Sequence, residues 1–378
     1  MITDARGMGR RDFLCVGGAG AFAALVATLR AGGKLAEAQA VSGAVPEVDR
    51  LMVRVVTDSY HQAISPSVTV NGVQIQRYGF AVSDKPPRRS LVSEFGLSLH
   101  VESQKGTETR QILVDFGFTP ETLNNNLGLL RIDPAKLDAL ILSHGHYDHF
   151  GGLVGFLQTN KDRLRKDLPF YLGGEECFCA RELTLGGQIN NFGYLDRKAI
   201  QESGLKMVMA EMPAVVASHA FTTGHIGKAT FERVLSPTRM TIGIENGIGC
   251  FPDKLPEERR KAKVIPDEFD HEQATCFHVK GKGLVVMTSC GHRGVVNSVK
   301  RAIAVSGMKK VHAVLGGFHL APHKDDYVRD TVMALKELDP DVVMPMHCTG
   351  EPFHEIMAKE IPNKLVRSYT GSRYLFGA

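Results

Sequence analysis

The most informative stretch of this sequence is Ser143-His144-Gly145-His146-Tyr147-Asp148-His149-Phe150-Gly151-Gly152-Leu153. It places three imidazoles and one carboxylate within six positions, directly after the apolar run Leu137 to Leu142. That run predicts a buried strand. An ordinary polar turn is the alternative, but such turns use Ser, Asn, Asp and Gly for backbone reasons and do not need imidazoles. The stretch therefore predicts a metal site.

The spacing of these side chains predicts two neighbouring cation positions. His144 and His146 are two positions apart and can reach one cation, whereas Asp148 and His149 can face a second cation beside it. We predict that all four side chains are metal ligands. We also expect His146 and Asp148 to be the residues that act in catalysis.

A metal site of this kind needs further ligands from later strand ends, and two histidines are suitably placed. His347 follows the apolar strand Val342 to Met346. His292 closes the sequence Thr288-Ser289-Cys290-Gly291-His292, where a strand passes into a loop. The alternative for His292 is that it caps the helix that follows. We predict that both histidines are metal ligands.

The last ligand stays open at this point. Cys290 is a candidate, because soft sulfur suits zinc, although a free cysteine is more often a small buried apolar residue. His319, Asp270 and His271 are weaker candidates. His225 imitates a glycine-histidine ligand turn, but it is distant from the other strand ends, and we place it outside the metal shell.

The histidine motif resembles the first ligand motif of the metallo-β-lactamase superfamily. The resemblance implies an α/β fold, a four-layer αββα sandwich, with the metal site at the strand-end edge of the two sheets. It implies two divalent cations, with Zn²⁺ expected and Mn²⁺ or iron as alternatives. It also implies that Asp115 orients a ligating histidine, although an Asp there can simply cap a turn. The superfamily commonly bridges its metals with an Asp that this chain lacks, and Cys290 could replace it.

Several strings resemble one branch of that superfamily, the 7,8-dihydropterin-6-methyl-4-(β-D-ribofuranosyl)-aminobenzene-5'-phosphate synthases and their relatives. The matching strings outside the histidine motif are Glu94 to Ser98, Leu113 to Gly117, Thr288 to Asn297, Gly316 to Leu320 and His347 to Gly350. Phe95 departs from the branch, which has His there, and His271 stands in a segment that usually reads acidic-acidic-glutamine. We expect both to line the pocket. We do not carry over the pterin chemistry, because an exported protein has little role in a cytoplasmic cofactor pathway.

The N-terminus predicts a targeting segment. A twin-arginine pattern, Arg10 to Leu14, precedes a mild apolar stretch, Cys15 to Leu29, and the small residues Ala38-Gln39-Ala40. We predict that residues 1–40 direct the chain to the twin-arginine export machinery and that the protein is periplasmic or secreted. The alternative is a membrane anchor, but the stretch is short and weakly apolar for a span of about 20 residues. We expect no stable anchor.

The remaining residues, 41–378, predict a single domain with insertions near 156–215 and 240–268. The formal charge of +4 is small, and no basic stripe is interleaved with aromatics, so we expect a small-molecule substrate and no nucleic acid. The cysteines after residue 40 are too sparse for a disulfide scaffold, and their pairing cannot be read from the sequence.

Together these features predict an exported dinuclear-metal hydrolase. A metal-bound hydroxide would attack an ester-like centre, either a phosphoester or a lactone. The alternatives are an iron-dependent redox enzyme on the same fold, a pterin-pathway enzyme like the synthases and, third, a non-catalytic binding protein. The segment Gly243 to Asp267 is either a lid over the site or a surface insertion.

Overall fold

The structure is a computed structural model, and it describes residues 36–37, 41, 43–78, 86–235 and 238–377. The predicted signal segment, residues 1–40, lies outside the described residues except for Ala36 and Glu37. Among the helices of the described part, none combines the length and the apolarity that crossing a membrane requires.

The described residues form strands and helices throughout. The strands, in chain order, are β1 Ala36–Glu37, β2 Glu47–Val48, β3 Arg50–Thr57, β4 Val68–Val70, β5 Val73–Gln76, β6 Ser98–Lys105, β7 Glu108–Val114, β8 Ala139–Ile141, β9 Pro169–Leu172, β10 Ala180–Leu185, β11 Gln188–Asn191, β12 Lys206–Met209, β13 Ala214–Val216, β14 Ala220–Thr222, β15 Thr238–Thr241, β16 Gly243–Glu245, β17 Ile248–Cys250, β18 Val264–Pro266, β19 Thr275–Val279, β20 Gly283–Ser289, β21 Val311–Gly317, β22 Val342–Met346 and β23 Arg373–Phe376. The α-helices are α1 Pro120–Leu129, α2 Tyr147–Phe150, α3 Leu153–Thr159, α4 Arg197–Glu202, α5 Val295–Ser306, α6 Asp325–Leu338 and α7 Glu351–Glu360. Short 3-10 turns lie at Pro134–Lys136, Glu175–Phe178, Pro252–Lys254, Glu257–Arg260, His347–Thr349 and Pro362–Lys364.

The larger sheet has ten described strands in the order β1-β12-β9-β8-β7-β6-β3-β23-β5-β4. Strands β6 and β7 form a hairpin, with Lys105 paired to Glu108 across a turn in which Gly106 has a φ of 56°. Glycine adopts this left-handed conformation without a steric penalty. Strands β7, β8, β9 and β12 run parallel to one another, so their carboxyl ends lie at one edge.

The second sheet has the order β13-β14-β19-β20-β21-β22, with β2 paired to β19. Strands β20, β21 and β22 are parallel, and helices α5 and α6 make the crossovers between them. Every residue of β20 is buried, as expected for a strand that is covered on both faces. The sequence pattern predicts a strand from Gly283 to Ser289, which is β20 with these bounds, and helices from Gly294 to Val305 and from Asp326 to Leu338, which agree with α5 and α6 to within one residue.

Three apolar clusters hold four layers together. The first lies between the two sheets and includes Val53, Val101, Phe277 and Leu315. The second packs α1, α3 and α4 on the outer face of the larger sheet, and the third packs α5, α6 and α7 on the outer face of the second sheet. Each fully buried Val, Leu, Ile or Phe contributes about 1.5–3 kcal/mol. The molecule is therefore the predicted αββα sandwich.

Helix α5 begins with help from a distant carboxylate. Glu232, which is buried, accepts hydrogen bonds from the backbone N–H groups of Val296 and Asn297 at 3.1 and 2.7 Å. These are two of the N–H groups that a helix leaves without an internal partner. The helix ends at Gly307, which has a φ of 71°. The carboxylate thus fixes the start of the helix that follows His292.

Parts of the two segments predicted as insertions form an added four-stranded sheet with the order β11-β10-β15-β18, whereas β9 and β12, which lie within the first of these segments, belong to the larger sheet. A disulfide between Cys179 and Cys250 ties this region to the hairpin of β16 and β17. The sequence predicted no strands here, because β11 is exposed at every position and therefore lacks the alternation that marks a half-buried strand. The sequence pattern also predicts a strand from Phe269 to Val279, but the strand that forms there, β19, begins only at Thr275.

Candidate metal centre

The site lies where strand ends from both sheets meet. Asp115 and Ser143 follow β7 and β8 of the larger sheet, and Cys290 and His347 follow β20 and β22 of the second sheet. His319 comes two residues after β21. Because parallel strands direct their carboxyl ends to the same edge, side chains that are far apart in the sequence meet here.

The backbone at these strand ends adopts a strained conformation. Four non-glycine residues there have a left-handed φ: Asp115 at 58°, Ser289 at 60°, His319 at 46° and His347 at 51°. Such a conformation costs about 1–2 kcal/mol for a residue with a Cβ. Strain of this kind concentrates at functional sites, where it directs a side chain to a required position.

Three groups of side chains that share Cys290 bring possible ligand atoms within 4.8 Å of one another. The first group, here called the first triad, is His144, Cys290 and His292. The second triad is His149, Cys290 and His347. The third triad, which includes a residue that the sequence did not single out, is Cys290, His319 and Cys348.

The two other predicted ligands lie beside these triads. The ring of His146 lies 4.9 Å from that of His144 and 4.7 Å from that of His292, between centroids. Its Nε2 lies 3.1 Å from the hydroxyl of Thr238, which leaves Nδ1 for another contact. The Asp148 carboxylate lies 3.0 Å from His347 Nε2. All six predicted histidine and aspartate ligands thus belong to one cluster, and their role as ligands stays a prediction.

Buried polar atoms without partners also concentrate here. Among the described residues, His144 Nε2, Asp148 Oδ1, His292 Nδ1, His319 Nε2 and His347 Nδ1 are buried and have no hydrogen-bond partner. Native proteins leave few such atoms, because each costs about 1–3 kcal/mol. A centre of cations would satisfy the members of this set that face it. The donor set of imidazole, carboxylate and thiolate therefore fits transition metals.

The electrostatics favour neutral imidazoles on one side of the cluster. Burial and the neighbouring imidazoles lower the pKa of His144 and His146 well below the usual value, and His292 behaves in the same way. Neutral imidazole is the form that binds a metal. Burial also lowers the pKa of His347, but Cys348 and Asp148 outweigh it and raise that pKa to about 9. A cation that binds His347 must therefore displace a proton.

The two cysteines of the third triad lie next to each other. Their Sγ atoms are 3.2 Å apart, and Cys290 Sγ lies 3.1 Å from His292 Nε2. Burial and the adjacent Cys348 raise the pKa of the Cys290 thiol. Burial alone would raise the pKa of Cys348, but the contact with Cys290 and the nearby His347 outweigh burial and lower that pKa. Cys348 is therefore the more acidic thiol of the pair.

Asp115 connects both sides of the cluster. Its Oδ2 accepts a hydrogen bond from His149 Nδ1 at 2.7 Å and another from the Ser143 hydroxyl at 2.7 Å. The Ser143 oxygen in turn lies 3.0 Å from His144 Nδ1. Hydrogen bonds at Nδ1 leave the Nε2 atoms of both histidines available to a metal. This is the arrangement expected of an orienting residue.

His271 lies in a separate cluster that supports the motif loop. Its Nε2 accepts a hydrogen bond from Gly145 N at 3.1 Å and lies 3.0 Å from Arg181, whereas Nδ1 faces Glu176 at 3.4 Å. Arg181 also binds Asp267 at 2.7 Å. A Cβ atom on residue 145 would lie 2.6 Å from the Arg181 guanidinium, so only glycine fits there. The arginine and Asp267 carried no recognisable sequence signal.

The remaining weaker candidates lie outside the three triads. His225 is exposed, and its Nδ1 lies 3.0 Å from the backbone oxygen of Asp270. The Asp270 carboxylate binds Arg293 at 2.9 Å. Both residues line a neighbouring cavity of about 380 Å³ together with His271. Their interactions are with protein groups rather than with the cluster around Cys290.

Two aromatic side chains flank the cluster. The ring of Phe95, which is 57% exposed, lies 4.8 Å from the ring of His347 between centroids. The ring of Phe192 meets that of His146 edge-on at 5.2 Å. Phe269 stacks on His292 at 3.8 Å from the buried side. The approach to the cluster is therefore partly apolar, and Phe192 was not anticipated from the sequence.

Comparison with known proteins identifies relatives of this arrangement. The family profile of the metallo-beta-lactamase superfamily matches residues 101–227, which include the histidine motif. A 7,8-dihydropterin-6-methyl-4-(beta-D-ribofuranosyl)-aminobenzene-5'-phosphate synthase of Methanocaldococcus jannaschii is 30% identical over 74% of this chain and 89% of its own length. An uncharacterized protein of the same organism is 29% identical over 71% of this chain and 88% of its own length.

The crystal structure of a metal-dependent hydrolase of the beta-lactamase superfamily has a similar fold. Its TM-score is 0.61, with 22% sequence identity, and the match covers 85% of this chain and 98% of that chain. At this identity the similarity establishes the shared architecture and does not bear on the substrate.

Proposed function

This chain belongs to the metallo-beta-lactamase superfamily, and we propose that it is a dinuclear-metal hydrolase that acts on an ester-like small molecule. The observation that carries the proposal is the pair of triads that share Cys290, together with unpartnered His144 Nε2 and Asp148 Oδ1. A pair of cations held there would lower the pKa of a shared water toward about 7 and so supply a nucleophile at neutral pH.

The six proposed histidine and aspartate ligands fall into two sets of three, one for each cation. His144, His146 and His292 would hold one cation as neutral imidazoles, which matches their lowered pKa values. Asp148, His149 and His347 would hold the other. Zn²⁺ is the expected ion, because the set mixes imidazole with a carboxylate and a thiol. These ligands come from three successive strand ends, because residues 144–149 follow β8, His292 follows β20 and His347 follows β22.

Cys290 takes the place of the bridging aspartate in this proposal. Its Sγ belongs to both triads, so one thiolate can contact both cations. Its pKa is raised in the protein as described, and a bound cation would reverse that effect, since coordination deprotonates a thiol. The protein's own contribution is then geometric, because Asp115 and Ser143 orient His149 and His144.

We further propose that the enzyme acts after export to the periplasm or outside the cell. The twin-arginine pattern at Arg10 and Arg11 supports this. The disulfide between Cys179 and Cys250 supports it as well, since disulfides persist in oxidising compartments and are rare in the cytosol. Fractionation of cells that express the full chain tests this location. Replacement of both arginines by lysine should retain the protein in the cytoplasm.

The test of the hydrolase loads the purified protein with zinc or manganese and screens phosphodiesters, phosphomonoesters and lactones. We expect hydrolysis of at least one class and a loss of at least about 100-fold in His146→Ala. His278→Ala is the matched control, because His278 lies on β19 away from the triads. Hydrolysis that persists undiminished in His146→Ala would show that the mechanism is wrong. Iron with visible absorbance in the active protein would favour the redox alternative.

A synthase is the second candidate function, and one observation favours it. The relative that is 30% identical bears the name of a synthase, and the alignment covers 89% of that protein. The discriminating assay offers this protein a ribofuranosyl-aminobenzene 5'-phosphate and a 7,8-dihydropterin whose 6-methyl carbon carries a leaving group such as diphosphate. Mass spectrometry then searches for the product in which the amine nitrogen has displaced that group and for the released diphosphate. Formation of that product without ester hydrolysis would replace the hydrolase proposal.

A further inference from the structure

We propose that Cys290, His319 and Cys348 form a third cation position, which takes a thiophilic ion such as Zn²⁺ or Cu⁺. The proposed hydrolase needs only the first two triads, so this inference goes beyond it. It rests on the proposed function in one respect, because Cys290 is shared with both of those triads.

The geometry of the third triad is that of a sulfur-rich ligand set. The Sγ atoms of Cys290 and Cys348 lie 3.2 Å apart, and Cys290 Sγ lies 3.6 Å from His319 Nδ1. Both cysteines are buried, and His319 Nε2 is buried without a hydrogen-bond partner. Two thiolates and one imidazole are typical ligands of zinc, and thiolate also selects Cu⁺.

The surrounding backbone is shaped to hold Cys348 in this position. The N–H of His319 points to Cys348 Sγ at 3.2 Å, and a backbone donor stabilises a thiolate. A Cβ atom on Gly317 would lie 2.8 Å from the same sulfur and 2.5 Å from the Ser289 oxygen. Glycine at that position therefore lets the end of β21 approach the sulfur closely.

Other cysteines of the described chain show a different environment. Cys177 and Cys276 are buried among apolar side chains and belong to none of the metal-capable groups. Cys179 and Cys250 are joined as a disulfide. Cys290 and Cys348 are neither isolated nor bonded, and imidazoles surround them.

Metal stoichiometry tests the third position. The full-length protein is reduced, loaded with Zn²⁺ alone, freed of excess metal and weighed by native mass spectrometry. We expect about three equivalents in the wild type and about two in Cys348→Ser and His319→Ala. His319 is half-buried, so its variant should fold even where a core cysteine is less tolerant. Cys276→Ser, another buried cysteine of the second sheet, is the control and should keep three.

A Cd²⁺ titration followed by sulfur-to-metal charge-transfer absorption supplies a second measurement. The third equivalent should add absorbance in the wild type and in Cys276→Ser but not in Cys348→Ser. Two equivalents in wild type and variants alike would overturn the third position, and so would a Cys290–Cys348 disulfide in the metal-loaded protein. A protein that binds three cations but hydrolyses nothing would overturn the proposed function and leave this inference standing.

Discussion

Replacement of Asp115 by asparagine is the perturbation that tests the site most directly. Asparagine has nearly the same shape and also tolerates the left-handed φ of 58° found here, so the change removes charge rather than volume. The carboxylate accepts hydrogen bonds from Ser143 N, the Ser143 hydroxyl and His149 Nδ1 at 2.8, 2.7 and 2.7 Å. An amide nitrogen cannot accept, so at least one of these donors loses its partner.

The expected magnitude follows from those contacts. Loss of a partner that orients a metal ligand lowers metal affinity by about 10–100-fold, which corresponds to about 1.4–2.7 kcal/mol. Because Asp115 orients His149 directly and His144 through Ser143, we expect both cation positions to weaken. The metal-free protein should lose about 1.5–3 kcal/mol of unfolding free energy as well, since bonds to a buried charge are involved.

Zinc affinity measured by competition with a chromophoric chelator provides the assay, and urea unfolding of the metal-free protein provides the stability. Asp138→Asn is the control, because Asp138 also accepts a hydrogen bond from a backbone N–H, that of Gln111, but it directly precedes β8 and so lies at the opposite end of that strand from Ser143. That variant should keep the wild-type zinc affinity. An Asp115→Asn protein with zinc affinity within about twofold of the wild type would refute the reasoning about orientation.

Three further predictions concern other parts of the molecule. Replacement of Cys179 and Cys250 by serine should lower the unfolding free energy by about 2–4 kcal/mol, because the disulfide closes a loop with a sequence separation of 71. Burial raises the pKa of Glu232 from 4.5 to about 7, so the folded chain binds this proton more tightly than the unfolded chain does. The unfolding free energy should therefore fall as the pH rises from 4.5 to about 7. Glu232→Gln should remove the part of the fall that is due to this carboxyl group. Phe95→Ala should raise KM about 3–10-fold for substrates with an apolar group and change kcat little, since the exposed ring flanks the site at His347.

Each of these three predictions has its own control or contradicting result. Reducing agent should destabilise the wild type as much as the double serine variant, and equal stability of all three samples would contradict the first. A pH profile of urea unfolding that is the same in wild type and Glu232→Gln would contradict the second. Phe231→Ala, another exposed phenylalanine, is the control for the third, and an equal KM change in both variants would mean that the effect is not local.

The sequence predicted the parts of the fold that carry periodic apolar patterns. Helices α5 and α6 were placed correctly because their buried faces repeat with the helical period, and β20 was placed correctly because its short continuous apolar run is typical of a strand that is buried on both faces. The added sheet with β10 and β11 was missed, because exposed strands have no such pattern and depend on contacts with distant β15. Tertiary pairing, rather than local propensity, forms that sheet.

The candidate site, like the fold, could be predicted from the sequence only in part. Residues 144–149 could be recognised because an ordinary loop has no need of four metal-capable groups within six positions. His292 and His347 could be proposed from their places after strands. The proximity of Cys348 to Cys290 could not, since it depends on how β20 and β22 align on either side of β21. Arg181 and Asp267 form a buried pair that no local pattern indicates.

The left-handed strand ends have a consequence for the evolution of this protein. Exchange of Ser289 for glycine would relieve a φ of 60° and could stabilise the fold by about 1 kcal/mol. The same exchange would loosen the residue next to Cys290, whose sulfur takes part in every triad. Selection for thermal stability and selection for catalytic activity thus oppose each other at this position. Thermostable descendants should therefore carry their stabilising substitutions in the outer helices instead.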